Sequence, residues 1–265
     1  MAETVKPGDL DEDKYERSKR LEWFDLDKIQ RTRVLVVGGG AIGNETVKNL
    51  ILAGFRKITL VDMDRVVRSN LNRCIFFDEE DAERRRLKVE AIVEKARKLD
   101  KEVDIDYRTE MIQKLPEDFI PSYDLVLGCL DNVAARLHLN AHCYRHGIPY
   151  VDAATQGFVG KVQVVLPKET PCLECGMNKT HVKIMEERFS CTGEDVTFHV
   201  PKMAAEITTT SVVSAIQTRE SIKLVLGMEK ELIRNVFYYD GMRNVSEILE
   251  LDRNPECAHH PVSEK

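Results

Sequence analysis

A chain of 265 residues can bury one substantial core, and 32% charged against 43% hydrophobic residues with a mean hydropathy of -0.32 describe a water-facing globular protein. No run approaches the roughly eighteen apolar residues of a membrane helix, and Met1 to Arg20 lacks an apolar signal core, so the expected location is cytoplasmic with no membrane partner. With 45 acidic against 39 basic residues the net charge is -6, which argues against a nucleic-acid surface.

In chain order, Asp11 to Trp23 is charge-rich, with Tyr15, Leu21, Trp23 and Phe24 as its apolar members, and reads as a surface helix packed on a neighbour. Val34 to Val37 is a run of β-formers feeding a Gly38-x-Gly40-x-x-Gly43 turn. A helix follows, with apolar positions Ile42, Val47, Leu50, Ile51 and Phe55. Strand, tight turn and helix together aim backbone N–H groups and a partial positive charge at a phosphate chain. The second strand, Lys57 to Val61, ends in Asp62-Met63-Asp64. Asp62 follows Gly43 at about the twenty-residue interval at which a dinucleotide fold places the acid that binds ribose hydroxyls. Taken alone, that pattern reads as NAD.

The next stretch weakens that reading. Ser69-Asn70-Leu71-Asn72-Arg73 is a polar loop with no place in a dehydrogenase's βαβ unit. Asn72 and Arg73 are donors of the type that clamp a phosphate, although such a loop also reads as an exposed turn. Arg84-Arg85-Arg86 reads as the solvated first turn of a helix, and Leu87 to Leu99 as a helix with Lys88 at its start. Lysine there opposes the macrodipole, which is easier to understand if its ammonium faces a triphosphate. Val103 to Tyr107 and Asp124 to Cys129 are the third and fourth strands. The fourth runs into Leu130-Asp131-Asn132 and a helix from Ala134 to His146. An aspartate at the carboxyl end of a parallel strand sits where open α/β sheets bind ligands. Asp131 can therefore hold Mg²⁺ against phosphates, or else cap the following helix. Tyr150 to Ala154 is the fifth strand.

From Phe158 the pattern changes. Gly160 to Leu166 alternates with period two, as an antiparallel strand does, and Cys172-x-x-Cys175 follows. In a reducing cytosol that pair points to metal or redox work, and seven cysteines suit no disulfide framework. Asn178 to Met203 reads as a long loop with one short helix, and Ile207 to Leu226 as a long helix capped by Gly227. Val236 to Asp240 and Ile248 to Asp252 are the closing strands. The expected fold class is α/β, a Rossmann-like, mostly parallel sheet flanked by helices, with antiparallel C-terminal strands.

The ordered set V-G-G-G-A-I-G, V-D-M-D, S-N-L-N-R, Lys88, C-L-D-N with Arg136 and Asn140, C-x-x-C and N-P-x-C-x-x-H runs from Tyr15 to His260. It resembles the ubiquitin-activating superfamily. That group includes the adenylyltransferases of molybdopterin and thiamine synthesis and the activating enzymes for ubiquitin-like modifiers. The resemblance implies ATP and Mg²⁺, with the C-terminal glycine carboxylate of a small β-grasp protein attacking the α-phosphate and pyrophosphate leaving. On this mapping Gly38, Gly40 and Gly43 form the nucleotide loop and Asp62 takes the ribose. Asn70, Arg73 and Lys88 contact the phosphates, Asp131 organises Mg²⁺, and Asn132 helps shape the pocket. Charge neutralisation and positioning suffice for such an in-line attack.

The same resemblance implies a closed, structural zinc site of Cys172, Cys175, Cys257 and His260. The family usually has two cysteines in the second pair, and His259 competes as the fourth ligand. His260 is preferred because its spacing from Cys257 matches the first pair. A second departure is Cys74, where the family commonly has glutamine. Tyr15-Glu16-Arg17 resembles a segment in which an arginine reaches the partner's ATP across a homodimer, which makes Arg17 a candidate in-trans finger. Of the thiols outside the metal pairs, Cys129 and Cys143 read as structural. Cys191 lies where compact modifier-activating enzymes carry the nucleophile that takes the modifier as a thioester for a conjugating enzyme. No separate cysteine domain or ubiquitin-fold domain is evident in the sequence, which suits the compact homodimeric type. The division expected is an N-terminal helical segment at the dimer interface (1–32), an ATP-binding half (33–156), and a half with the antiparallel strands, zinc site and crossover loop (157–265), all one adenylation domain. Alternatives are a sulfur-carrier adenylyltransferase that forms no thioester and a catalytically silent partner subunit.

Overall fold

The computed structural model describes residues 13–177 and 205–260. At its centre is β1 (Arg33–Val37), buried from Val34 onward because valine and leucine pack on both faces of the sheet. It pairs in parallel with β2 (Lys57–Val61) and β4 (Leu125–Gly128); β3 (Asp104–Arg108) extends the sheet beyond β2, and β5 (Tyr150–Gln156) beyond β4. Direction then reverses. β6 (Val159–Val165), β7 (Val236–Asp240) and β8 (Val245–Leu249) are antiparallel, giving one eight-stranded sheet in the order β3-β2-β1-β4-β5-β6-β7-β8.

The α-helices among the described residues are α1 (Glu16–Lys19), α2 (Leu26–Arg31), α3 (Ala41–Ala53), α4 (Glu79–Glu83), α5 (Lys88–Leu99), α6 (Val133–His146) and α7 (Ile207–Leu226). Alternation along β1 sorts them into two layers. Val34 and Val36 face a core shared with α3, α5 and Val213 of α7, while Leu35 and Val37 face Leu139, Cys143 and Tyr144 of α6. Helix α7 is capped by Glu206, whose carboxylate accepts from the N–H groups of Thr208 (2.7 Å) and Thr209 (2.8 Å).

The observed layers match the expected fold class, with several local corrections. Within Asp11 to Trp23 only Glu16–Lys19 is helical among the described residues, and α2, capped by Asp25, is an additional helix too short to show a period. The arginine triplet follows α4 rather than opening a helix: Asp78 caps α4, Arg85 turns back at φ 49°, and Arg86 pairs with Asp81 (3.1 Å) and Glu94 (2.9 Å). β8 begins at Val245, earlier than Ile248, because hairpin pairing with β7 sets Asp240 opposite Val245. The expected loop from Asn178 to Met203 lies outside the described residues. No described helix is long and apolar enough to cross a membrane.

Candidate nucleotide crevice and metal centre

The glycine turn is shaped by close backbone approach. Gly38 has φ 103°, and a Cβ there would lie 2.3 Å from the Cys129 carbonyl oxygen; one on Gly43 would lie 1.9 Å from the Gly38 oxygen. The first contact lets β1 leave the sheet beside the end of β4, and the second seats α3 against the turn. At Gly40, which begins α3, a Cβ would meet nothing within 4 Å, and no side chain caps the helix. Uncapped N–H groups opening on free space suit an anion.

Asp62, at the end of β2, accepts from the Gly39 N–H through Oδ2 (2.6 Å) and from the Asp64 N–H through Oδ1 (2.7 Å). Burial pushes its carboxyl above the usual range, opposed by Lys88 and by those N–H groups. The Lys88 ammonium, on the first turn of α5, donates to Asp64 (2.7 Å) and lies 4.0 Å from Asp62. Burial works against its charge, yet Asp62, Asp64 and Asp131 together raise its pKa. Lys88, Asp62 and Asp131 are thus brought to one crevice at the carboxyl ends of the parallel strands. Asp64 is a partner of Lys88 that the sequence reading passed over, although it lies in the same V-D-M-D run.

Asp131 is exposed, and its alternative reading as a helix cap is corrected: Asn132 caps α6, its Oδ1 accepting from the Ala135 N–H at 2.8 Å. The Asn132 oxygen is therefore committed to the helix, and Asp131 forms no hydrogen bond or ion pair among the described residues. Asn70 Oδ1 accepts from the Val67 N–H (3.1 Å) and so shapes its own loop. Arg73 donates to the Ser69 carbonyl and to Asn72 Oδ1 (2.9 Å). ATP fits this donor set: an open helix N-terminus, a lysine and an arginine for phosphates, an acid beside the glycine turn, and an exposed aspartate suited to Mg²⁺.

Gln217 was not legible in advance. A glutamine inside a long helix reads as solvated, yet it is fully buried, donating to the carbonyls of Gly128 (3.0 Å) and Val151 (2.9 Å) while accepting from Thr46 Oγ1 (2.8 Å). It ties the ends of β4 and β5 to α3, and so holds the glycine turn beside the strand that presents Asp131.

Cys172, Cys175, Cys257 and His260 bring four ligand atoms within 4.8 Å of one another. The sulfur of Cys172 lies 3.8 Å from that of Cys175 and 3.6 Å from that of Cys257, and Cys175 Sγ is 2.8 Å from His260 Nε2. His259 instead lies 2.8 Å from Glu174 Oε1. On the far side of the ring, His260 Nδ1 lies 2.8 Å from the Tyr144 hydroxyl and 3.1 Å from Arg253 Nη2, so two partners orient the imidazole with Nε2 toward the sulfurs. Asn140 accepts from the Leu173 N–H (3.0 Å), while its buried Nδ2 has no partner. Burial lifts the Cys172 thiol to about 12, and the Asn140 amide opposes this by favouring the thiolate. Thiolate on a metal would satisfy that amide, so the set fits zinc in a closed Cys₃His centre.

Arg17 lies on α1, and Cys191 falls outside the described residues. Cys74 and Cys129 are buried, and desolvation pushes their thiols up to about 11 and about 12. Cys143 is fully buried and pushed up further by the same cause. Such thiols are poor nucleophiles.

A model of the ThiF family matches residues 15–259. The SUMO-activating enzyme subunit 2 of Dictyostelium discoideum is 36% identical over 152 residues, which are 57% of this chain and 23% of that protein. The chain thus spans about a quarter of the length of the SUMO-activating subunits it matches. The molybdopterin-synthase adenylyltransferase of Escherichia coli is 30% identical over 249 residues, 92% of this chain and 94% of that one. Among solved structures, E. coli MccB crystallised with ATP superposes with a TM-score of 0.74 at 22% identity, over 95% of this chain and 75% of that chain, a likeness of fold. Matched by the family model over nearly its whole length, and by an adenylyltransferase at 30% identity over 94% of that protein, the chain belongs to the ThiF family.

Proposed function

We propose that this protein uses ATP to adenylate the C-terminal carboxylate of a small β-grasp protein ending in Gly-Gly. The observation that carries this reading is the convergence of Lys88, Asp62 and Asp131 beside the uncapped start of α3, in a ThiF chain. A carboxylate oxygen of the substrate attacks the α-phosphorus. A new P–O bond forms while the bond from that phosphorus to the β-phosphate's bridging oxygen breaks, and pyrophosphate departs with those electrons. Lys88 and Arg73 offset charge on the phosphates, and the Asp62 carboxylate accepts from a ribose hydroxyl. Asp131 would hold Mg²⁺, which when bound would add charge neutralisation on the phosphates. Arg17 of a partner subunit reaches the same phosphates in a homodimer.

The finer step is transfer of the acyl group from the adenylate to Cys191 as a thioester, releasing AMP, for hand-over to a conjugating enzyme. Its support is the fate of the other thiols: three are buried with raised pKa values and three lie in the metal cluster, which leaves Cys191 of the seven. A second reading, activation of a sulfur carrier without an enzyme thioester, is favoured by the end-to-end match to a molybdopterin-synthase adenylyltransferase.

The test is pyrophosphate exchange against a panel of Gly-Gly-ended β-grasp proteins. Exchange should require the protein substrate and fall by roughly a hundredfold or more in Lys88→Ala. Exchange with no member of the panel would sink the adenylation reading. A non-reducing gel then separates the finer readings: an adduct lost on reduction and absent in Cys191→Ala supports the thioester, whereas exchange without an adduct supports the sulfur carrier.

A further inference from the structure

The adenylation reading leaves open what receives the substrate's carboxylate. Attack requires a second anion to approach the phosphates, a repulsive arrangement unless a cation stands on the substrate side. Lys88 and Arg73 belong to the nucleotide side, from β2 through the start of α5. On the opposite side of Asp131 lie β5, β6 and the first turn of α6, and they carry a cation that the nucleotide does not use.

Lys161 sits on β6 opposite Ala154 of β5, and Asp152 is two residues before Ala154, paired with both Gly128 of β4 and Gln163 of β6. Residues directly opposite in a sheet share a face, so Lys161 and Asp152 lie on the α6 face. Lys161 is one pleat further toward the carboxyl ends of the parallel strands. It is half-buried, yet among the described residues its ammonium forms no hydrogen bond or ion pair. The carboxylate that acts on its charge does not serve it. Asp152, fully buried, accepts from Arg136 Nε (2.9 Å) and Nη2 and from the Tyr150 hydroxyl (2.9 Å). Arg136 is thereby neutralised, and Lys161 is left as the surplus charge of the group. Burial, then the neighbouring Arg136, pull the Lys161 pKa down, with Asp152 opposing. A cation drawn partly out of water without a counter-ion among the described residues is costly unless something else supplies the anion.

We propose that Lys161 binds the C-terminal carboxylate of the incoming polypeptide and holds it for attack on the α-phosphorus, with the Arg136–Asp152–Tyr150 group fixing the floor on which it rests. The proposal rests on the adenylation reading and names a residue that determines substrate binding at that site. Once the acyl-adenylate forms, the carboxylate charge is gone and the Lys161 contact weakens, so binding favours the reactant tail over the activated one.

The experiment uses the full-length protein and a Gly-Gly-ended β-grasp protein that supports exchange with wild type, comparing wild type, Lys161→Met and Lys161→Arg. Lys161→Met should raise the KM for the protein substrate roughly ten- to a hundredfold, the range for one charged hydrogen bond. Its KM for ATP should stay unchanged, Lys161→Arg should restore part of the loss, and Tm should hold or rise because a partly desolvated charge is removed. An unchanged KM for the protein substrate, an equal rise for ATP, or a loss that tracks a lowered Tm in both variants overturns the proposal. If wild type exchanges and Lys161→Met matches it, Lys161 alone is misassigned. If wild type exchanges with no substrate of this class, the adenylation reading fails and the proposal with it.

Discussion

Gly43 shows how one missing side chain sets the geometry of the crevice. A Cβ there would lie 1.9 Å from the Gly38 carbonyl oxygen, backbone against backbone, so no rotamer change can relieve the contact. Gly43→Ala must therefore push α3 off the turn. Destabilisation of about 1–3 kcal/mol is expected from overpacking of this kind, with loss of ATP binding. Thermal melts with and without ATP check it, and a variant that ATP still stabilises fully would contradict the role given to the turn. Glycine spacing made this position legible, because few other arrangements need the residue three times in six positions. Gln217 and Asp152 were not legible for the opposite reason. Their polarity reads as solvent exposure, and only the structure shows the partners that let them be buried.

Helix α7 crosses behind β5 and carries the buried polar stripe that includes Gln217, so its start must be fixed. Glu206 fixes it with bonds from both the N–H and the hydroxyl of Thr208 and of Thr209. Burial alone would raise the Glu206 pKa, but those bonds hold it at about 2, below the ordinary value of 4.5. The native state therefore binds the proton less readily than the unfolded chain does. This stabilisation is fully present above about 4.5 and fades as pH falls toward about 2. Glu206→Ala should cost about 1 kcal/mol near neutral pH, and the difference from wild type should shrink progressively below pH 4.5. Denaturant titrations at several pH values check this, and a difference independent of pH would contradict it. The extent of α7, Ile207–Leu226, agrees with the sequence reading because Gly227 ends it with a left-handed cap, whereas α2 escaped notice since six residues are too few to show a helical period.

For the whole molecule, the four candidate zinc ligands join the segment after β6 to the tail after β8, positions far apart in sequence. Chelation should lower Tm, since a site saturated at about a thousand times its Kd contributes about 4 kcal/mol. Metal analysis should find about one zinc per chain. An unchanged melt with no metal present would remove the centre from the account. The Arg17 proposal also belongs at this scale. Sedimentation should give a homodimer, and mixing Arg17→Ala with Lys88→Ala chains should restore one working site per mixed dimer. A fully active monomer would rule out an arginine acting in trans.

The sequence by itself determined the local grammar: β1 and its glycine turn, the acid after β2, the C-x-x-C pair, the long helix, and the family that their order resembles. These are legible because each is written in adjacent residues, through periodicity, backbone sterics or ligand spacing. The structure bears out the preference for His260, which faces the sulfurs while His259 meets Glu174; only the tertiary structure decided that Asn132 rather than Asp131 caps α6 and that half-buried Lys161 has no counter-ion among the described residues. Each of those outcomes depends on strand register and on which partners arrive from distant segments, and neither is encoded at a single position.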